Sequence, residues 1–486
     1  MPILTVFDKD KTYSVAFEGT PTVQQVLEQN NIAMAHPCGG KGICGKCKIE
    51  ISGQISELDE KEKSAGFRMS CRTKLFGDAN VSILRNDNLV AETSIQKIKK
   101  NTQNKYKIGA AVDIGTTTVV LSIYDLQNGN CIASKTALNP QSTTAADVIG
   151  RIEAAINGQL ENLQNAIISC IKKLAESTGF FDLIDKWVIT GNTTMLYLLT
   201  GKNPKSLAKS PFIADYLFDE ETTFLEKPLY IPKCIHAFVG ADITCAILNS
   251  KMCNSQETSL LCDIGTNGEL ALWKNGKLYT TSTAAGPAFE GAGISCGCQS
   301  VPGAIEKVEI DSTSKNILIK TIDNKTPIGI CGSGIIDTVA CLLNLCSIDE
   351  TGAMEDEKFE LEKNIFILQQ DVRSIQLAKA AISAGIKTLL EATNTSEDEI
   401  KTLFIAGGFG SHLNIESAVR IGLIQKELQS KIKVIGNAAL KGAACFLTDS
   451  NLQTQINQII NNAENINLGG MPEFNNNYIE MMIFPE

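Results

Sequence analysis

The chain has 486 residues, 43% hydrophobic and 20% charged, with a net charge of −10. That length suits two to four domains of about 100–200 residues each, and the acidic balance excludes the basic surface with which a nucleic-acid binder meets phosphates. The opening MPILTVFDKD meets charge too early for a signal peptide, and no apolar run approaches the ~18 residues of a membrane span, so no membrane role and a cytoplasmic location are expected.

The first segment, residues 1–90, begins ILTVF, a charged turn and TYSVAF, a β-hairpin in outline. Thr22 is placed to cap a short helix over Val23–Gln29, with Val26 and Leu27 turned inward. HPCGGKGICGKCKIEI follows, and later FRMSCRTKL. Five residues separate Cys38 from Cys44, two separate Cys44 from Cys47, and twenty-three lead to Cys71. Three thiolates in one glycine-rich loop wrap a compact cluster, and a fourth from a distant segment closes it. The run is one residue longer in its first gap than the plant-type C-x4-C-x2-C…C pattern of [2Fe–2S] sites. Zinc is the rival, but structural zinc sites usually show two C-x2-C knuckles and here there is one. Sixteen cysteines in a long chain without a secretion signal read as reduced thiols, and three histidines are too few for a His-rich metal site. The segment resembles the [2Fe–2S] ferredoxins, which implies a β-grasp fold and one-electron transfer.

Residues 85–107, RNDNLVAETSIQKIKKNTQNKYK, are polar and rich in Asn, Gln and Lys. A flexible linker is expected over 91–106; about 20 flexible residues span roughly 25 Å. It reads either as an arm that swings the cluster between donor and acceptor or as a passive tether.

The remainder, 107–486, repeats itself. IGAAVDIGTTT at 108–118 matches LLCDIGTNG at 260–268, and NGNCIASKTALNP at 128–140 matches NGKLYTTSTAAGP at 275–287. Each half, about 107–255 and 256–486, reads as a strand, a DIGT turn, a second strand, an Asn-Gly turn and a third strand. Helical stripes follow, one through positions 149, 152, 156, 160, 163, 167, 171 and 174. Another runs through Val372, Ile375, Ile382, Ile386 and Leu389, with Lys379 as an exception. An Asp-x-Gly-Thr turn after a strand points N–H groups at a phosphate, adds hydroxyl donors, and leaves the carboxylate to hold Mg2+. Two such turns facing each other clamp the phosphates of a nucleotide. LFIAGGFGSHL at 403–413 is a strand running into a glycine pair, where an adenosine can lie against bare backbone.

This arrangement resembles the acetate kinase/sugar kinase/Hsp70/actin superfamily, whose fold is a duplicated ribonuclease-H-like α/β domain. The resemblance implies ATP as ligand. It assigns the first phosphate turn to Asp113, Gly115, Thr116, Thr117 and Thr118 and the second to Asp263, Gly265, Thr266 and Asn267. Gly407, Gly408 and Phe409 fall at the adenosine. A degenerate fold that has lost its nucleotide is the alternative, and the intact glycines and carboxylates count against it. WVITGNTTM at 187–195 offers Asn192 and Thr193 either to the γ-phosphate and its attacking water or as helix caps. Asp242 in VGADITCA is a helix N-terminal carboxylate or a Mg2+ or water contact. ICGSGIID at 330–337 brings Gly332 and Ser333 where backbone approaches ligand, and AAGPAFEGAGISCGC at 284–298 is similarly small-residued. Cys296 and Cys298 there read as buried small hydrophobes rather than a second cluster.

An electron carrier fused to an ATPase calls for a reason, because downhill electrons need no ATP. At about 59 mV per factor of ten for one electron, a plant-type cluster near about −400 mV reaches a more negative acceptor only in a small fraction. The whole chain resembles the reductive activators of corrinoid proteins, through PCGGKGICGKC, VDIGTTT, CDIGTNGE, GPAFEGA, ICGSGIID and IAGGFGSHL. That resemblance implies ATP-dependent return of a partner's Co(II) corrinoid to Co(I), in a corrinoid methyltransferase or O-demethylase system. It also implies a low-potential donor such as a ferredoxin or flavodoxin, and it admits a homodimer. Longer relatives carry an extra domain where this chain has its polar linker. Competing readings are an ATP-dependent activator of another metalloenzyme and a non-enzymatic ATP-binding redox sensor.

Overall fold

The computed structural model describes residues 1–8, 11–30, 32, 34, 47–59, 62–63, 67–83, 97–99, 105–145, 147–311, 313, 316–408, 412–449 and 451–486. In the N-terminal segment five strands form a mixed sheet, ordered Lys11–Ala16, Ile3–Asp8, Leu75–Ile83, Lys48–Ile55 and Arg68–Met69. The hairpin pairs Ile3 with Ala16 and Asp8 with Lys11, while Ile3–Asp8 runs parallel to Leu75–Ile83 at the sheet centre. Alternate residues of these strands, including Leu4, Val6, Leu75 and Val81, are fully buried. Val23, Val26 and Leu27 of the helix Val23–Gln29 join them in one core. Thr22 starts that helix: its hydroxyl accepts the Gln25 N–H at 3.3 Å and the Gln25 side chain accepts the Thr22 N–H at 2.9 Å. Such a cap contributes about 1 kcal/mol. A mixed sheet carrying one helix against its face is the β-grasp arrangement.

Part of the expected linker is not a free tether. Lys97, Ile98 and Lys99 dock on the larger domain. Ile98 is buried and donates its N–H to the Gly129 carbonyl at 2.9 Å, and Lys99 pairs with Asp449 at 3.1 Å. The rest of that expectation, 91–96 and 100–104, lies outside the described residues.

The larger domain contains two six-stranded sheets that share the order of five strands and carry the sixth on opposite edges. In the first, the strand Ile108–Ile114 has Thr118–Asp125 and then Asn130–Leu138 on one side. On its other side come Lys186–Gly191, Lys227–Ile231 and Glu220–Phe224. In the second, Ser259–Ile264 has Gly268–Lys274 and Lys277–Thr283 on one side and Thr402–Ala406 and Ile432–Gly436 on the other; Glu464–Asn465 extends the far edge. Each first strand is antiparallel to the next and parallel to the fourth. This is the duplicated ribonuclease-H-like topology. The repeat extends further than the DIGT alignment: WVITGN carries Gly191 where LFIAGG carries Gly407. A Cβ on Gly191 would lie 2.7 Å from the Ile114 carbonyl oxygen, and one on Gly407 2.5 Å from that of Ile264.

Two helices, Ala241–Ser250 and Ala438–Cys445, bring the halves together. Gly442 lets them touch, since a Cβ there would stand 1.9 Å from the Cys245 carbonyl oxygen. Their apolar residues, including Ile243, Ala246, Ala443 and Ala444, share one core. The stripe expected from 149 to 174 is broken in the structure. Gly158, at φ +92°, and Asn157 interrupt it between the helices Val148–Ala154 and Leu160–Glu176, and Ile149 and Ile156 face solvent. The second stripe is one helix, Gln369–Ala392, and its exception is satisfied from elsewhere in the chain: Lys379 donates to the Ile483 carbonyl at 2.6 Å. Among the described residues no helix is long and apolar enough to cross a membrane.

Candidate functional site

The two DIGT turns face each other across a cavity of about 240 Å³. Each is closed by its own glycine: Gly115 N–H donates to the Thr118 carbonyl at 2.8 Å, and Gly265 N–H to that of Asn267 at 3.1 Å. Asp113, Gly115, Thr116, Thr117 and Thr118 line one wall; Asp263, Gly265, Thr266 and Asn267 line the other, with Gly407, Gly408 and Gly332 nearby. The tertiary structure therefore brings nearly every sequence-nominated residue of the larger domain to one place. Thr193 and Ser333 are turned elsewhere: their hydroxyls donate to the carbonyls of His236 and Glu306, each at 2.8 Å. Phe409 lies outside the described residues.

Of the two roles considered for Asn192, the cap is the one seen. Its Oδ1 accepts the Met195 N–H at 2.9 Å, capping the helix Thr193–Thr200, while its Nδ2 donates to Thr116 Oγ1 at 3.2 Å beside the cavity. Three more helices start at the cavity. Asp242 sits in the first turn of Ala241–Ser250, Gly332 begins Gly332–Asn344, and Asn437 caps Ala438–Cys445. Each helix N-terminus carries about half a positive charge, so four of them favour anions here.

Four acids crowd the cavity beside those dipoles, Glu269 buried and Asp113, Asp242 and Asp263 half-buried. Burial lifts Asp113 to about 6, with a hydrogen bond from Asn437 opposing. Burial and then the Asp113 charge lift Asp263 to about 7. Burial, followed by Asp113 and Asp263, lifts Asp242 to about 8, and Glu269 is raised well above its ordinary value by burial and by Asp242 and Asp263. No cation features among the charges acting on any of the four. Their mutual repulsion keeps protons on these carboxyls near neutral pH, and as four oxygen-donor groups in one cavity they suit a hard divalent cation such as Mg2+, whose binding would release those protons.

Sequence reading missed several of these residues. Asn437 donates to Asp113 Oδ2 at 3.0 Å across the halves. Glu290, at the end of the short turn Pro287–Glu290, accepts the Thr266 hydroxyl at 2.8 Å and that of Thr117 from the opposite half. Arg151 is fully buried and donates to the carbonyl oxygens of Thr116 at 2.6 Å and Ala145 at 3.0 Å, gripping the first turn from behind. Glu290 and Glu269 stood inside quoted motifs; nothing local marks Arg151 or Asn437.

In the N-terminal domain Cys47 and Cys71 are buried and their sulfurs lie 3.2 Å apart. Two thiolates bound at about 2.3 Å to one tetrahedral ion stand about 3.8 Å apart, so the pair is close enough to share a metal after a small opening. Cys38 and Cys44 lie outside the described residues.

Fold and site define a class: a β-grasp domain with cluster-type cysteines joined to a duplicated phosphate-turn domain of the actin and Hsp70 kind. Family models match along the chain. They describe a 2Fe-2S iron-sulfur cluster binding domain over residues 6–75, the RACo middle region over 108–255, and the C-terminal domain of RACo, the ASKHA domain, over 257–486. The corrinoid activation enzyme RamQ of Eubacterium limosum is 32% identical over 433 residues, covering 80% of this chain and 72% of that protein. The [Co(II) methylated amine-specific corrinoid protein] reductase of Methanosarcina barkeri is 24% identical over 416 residues, covering 76% of each. A solved reductive activator for corrinoid,iron-sulfur protein matches with a TM-score of 0.73 at 25% identity, over 99% of this chain and 98% of that one. The chain belongs to the family of reductive activators of corrinoid proteins.

Proposed function

We propose that this chain couples ATP hydrolysis to one-electron reduction of a partner's Co(II) corrinoid, returning it to Co(I) in an anaerobic methyltransferase or O-demethylase system. The observation that carries this reading is the pair of facing phosphate turns in one chain with a ferredoxin-type domain. A [2Fe–2S] cluster on Cys38, Cys44, Cys47 and Cys71 supplies the one-electron carrier, recharged by a low-potential ferredoxin or flavodoxin. The turn amides and threonine hydroxyls bind the phosphates, and Gly407 and Gly408 admit the adenosine. Asp113, Asp263 and Glu269 hold Mg2+ directly or through water. Asp242 lines the same cavity, and the ionised fraction of its carboxyl, a minority near neutral pH, takes a proton from water as the water's oxygen attacks the γ-phosphorus, giving ADP and phosphate. Nucleotide turnover drives the uphill transfer only if ATP-bound and ATP-free forms bind oxidised and reduced partner differently; about 5.5 kcal/mol of such difference moves a balance from 1:99 to 99:1.

The test is anaerobic mixing of the reduced, cluster-loaded protein with a Co(II) corrinoid protein. Co(I) absorbance that develops with MgATP and not without it is expected, and Asp242→Asn should retain ATP binding while losing this turnover. Equal reduction with and without nucleotide, or none in either case, refutes the proposal.

A further inference from the structure

We propose that Glu290 is a carboxylate latch that competes with the nucleotide's phosphates for the threonine hydroxyls of the two turns and must be displaced by them. This rests on the ATP site proposed above. Oε1 of Glu290 accepts the Thr266 hydroxyl at 2.8 Å, and Oε2 accepts that of Thr117; the first threonine belongs to the second half's turn and the second to the first half's. Both hydroxyls point to the cavity as donors that a phosphate oxygen would otherwise receive. A carboxylate and a polyanion cannot share them, because two like charges at hydrogen-bonding range repel strongly away from bulk water. The backbone beneath the latch is held in place. Phe289 is buried, and Gly291, at φ +72°, runs so close to the following loop that a Cβ there would sit 2.4 Å from the Cys298 carbonyl oxygen. Release therefore takes place by rotation of the Glu290 side chain. The latch ties the two halves across the cleft through Thr117 and Thr266; on nucleotide binding the tie passes to the phosphates themselves.

A structural strut and a competing latch predict opposite signs. The experiment uses the full-length, cluster-loaded protein under anaerobic conditions and compares wild type with Glu290→Ala and Glu290→Gln. ATP affinity with Mg2+ is measured by equilibrium dialysis, and amide hydrogen exchange is followed at residues 115–118 and 265–268 without nucleotide. Expected for Glu290→Ala is ATP binding about tenfold tighter, the size of effect of one charge-assisted hydrogen bond, together with faster exchange in both turns. Glu290→Gln, which keeps an acceptor but loses the charge, falls between; inorganic phosphate as a probe follows the same order. Unchanged or weaker ATP binding in Glu290→Ala overturns the latch and makes Glu290 a strut or a ligand of the bound nucleotide. If Glu290→Ala does not fold, the affinity of Glu290→Gln relative to wild type decides. Wild type that binds no ATP at all instead removes the functional reading on which the latch rests.

Discussion

Asn437 joins two functions in one side chain, and its removal has a calculable cost. Its Oδ1 caps the helix Ala438–Cys445 by accepting the Leu440 N–H at 2.8 Å, and its Nδ2 donates to Asp113 Oδ2 at 3.0 Å. Losing the cap costs about 1 kcal/mol, and losing a hydrogen bond to a buried carboxylate about 1.5–3 kcal/mol, so Asn437→Ala should cost about 3 kcal/mol. Both tryptophans, Trp187 and Trp273, lie in the larger domain, one in each half, so their fluorescence reports its unfolding alone. At about 2.1 cal/mol/K per residue, a domain of roughly 380 residues should lose about 4 °C of midpoint. Asn437→Asp separates the two terms, because aspartate caps as well as asparagine but faces Asp113 with like charge. It should be less stable than Asn437→Ala at pH 8 and recover toward wild type at pH 5.5, where the buried acids hold their protons. A midpoint for Asn437→Asp equal to wild type at pH 8 would falsify the cross-half bond as a source of stability.

Two further outcomes are expected. Gly442→Ala places a methyl against backbone atoms that cannot yield, 1.9 Å from the Cys245 carbonyl oxygen, and should cost about 1–3 kcal/mol in tryptophan-detected unfolding. Gly470→Ala, with open space around it, is the control; equal midpoints for the two variants would contradict the close helix contact. The second concerns pH. Folded Asp113, Asp263 and Asp242 keep protons up to about 6, 7 and 8, whereas in the unfolded chain they release them near 3.8. The native state therefore binds more protons over that interval. Their contribution is complete below the unfolded value and is lost as pH rises through the folded ones. The midpoint of the Mg2+-free protein should fall between pH 5 and pH 8, and Asp242→Asn should flatten the fall. A midpoint that climbs over this range in wild type, or a slope indifferent to the substitution, counts against these burial assignments.

Much of this molecule was legible along the chain because its signals are local. The hairpin at Asn275 and Gly276 follows from two residues that tolerate positive φ, and both have it, at +52° and +78°. The capped helix after Thr22 and the strand that stops at each DIGT turn are likewise written in neighbouring residues. Periodicity failed where one residue outweighed it, as at Gly158, whose backbone breaks an otherwise regular stripe. It also left Lys379 without a reason. That ammonium lies among apolar residues because the chain's last turn delivers the Ile483 carbonyl and the Phe484 ring, and burial lowers it to about 7.

From sequence alone came the two phosphate turns, their duplication and the cysteine spacing, since each depends on residues within a few positions of one another. Only the folded chain could decide what faces the cleft between the two turns. Glu290 reaches Thr117 across 173 positions and Asn437 reaches Asp113 across 324, and no local preference encodes either distance. These pairings exist because two helices meet at Gly442 and hold the halves together, so that charges remote in sequence share one desolvated cavity, where each shifts the protonation of the next.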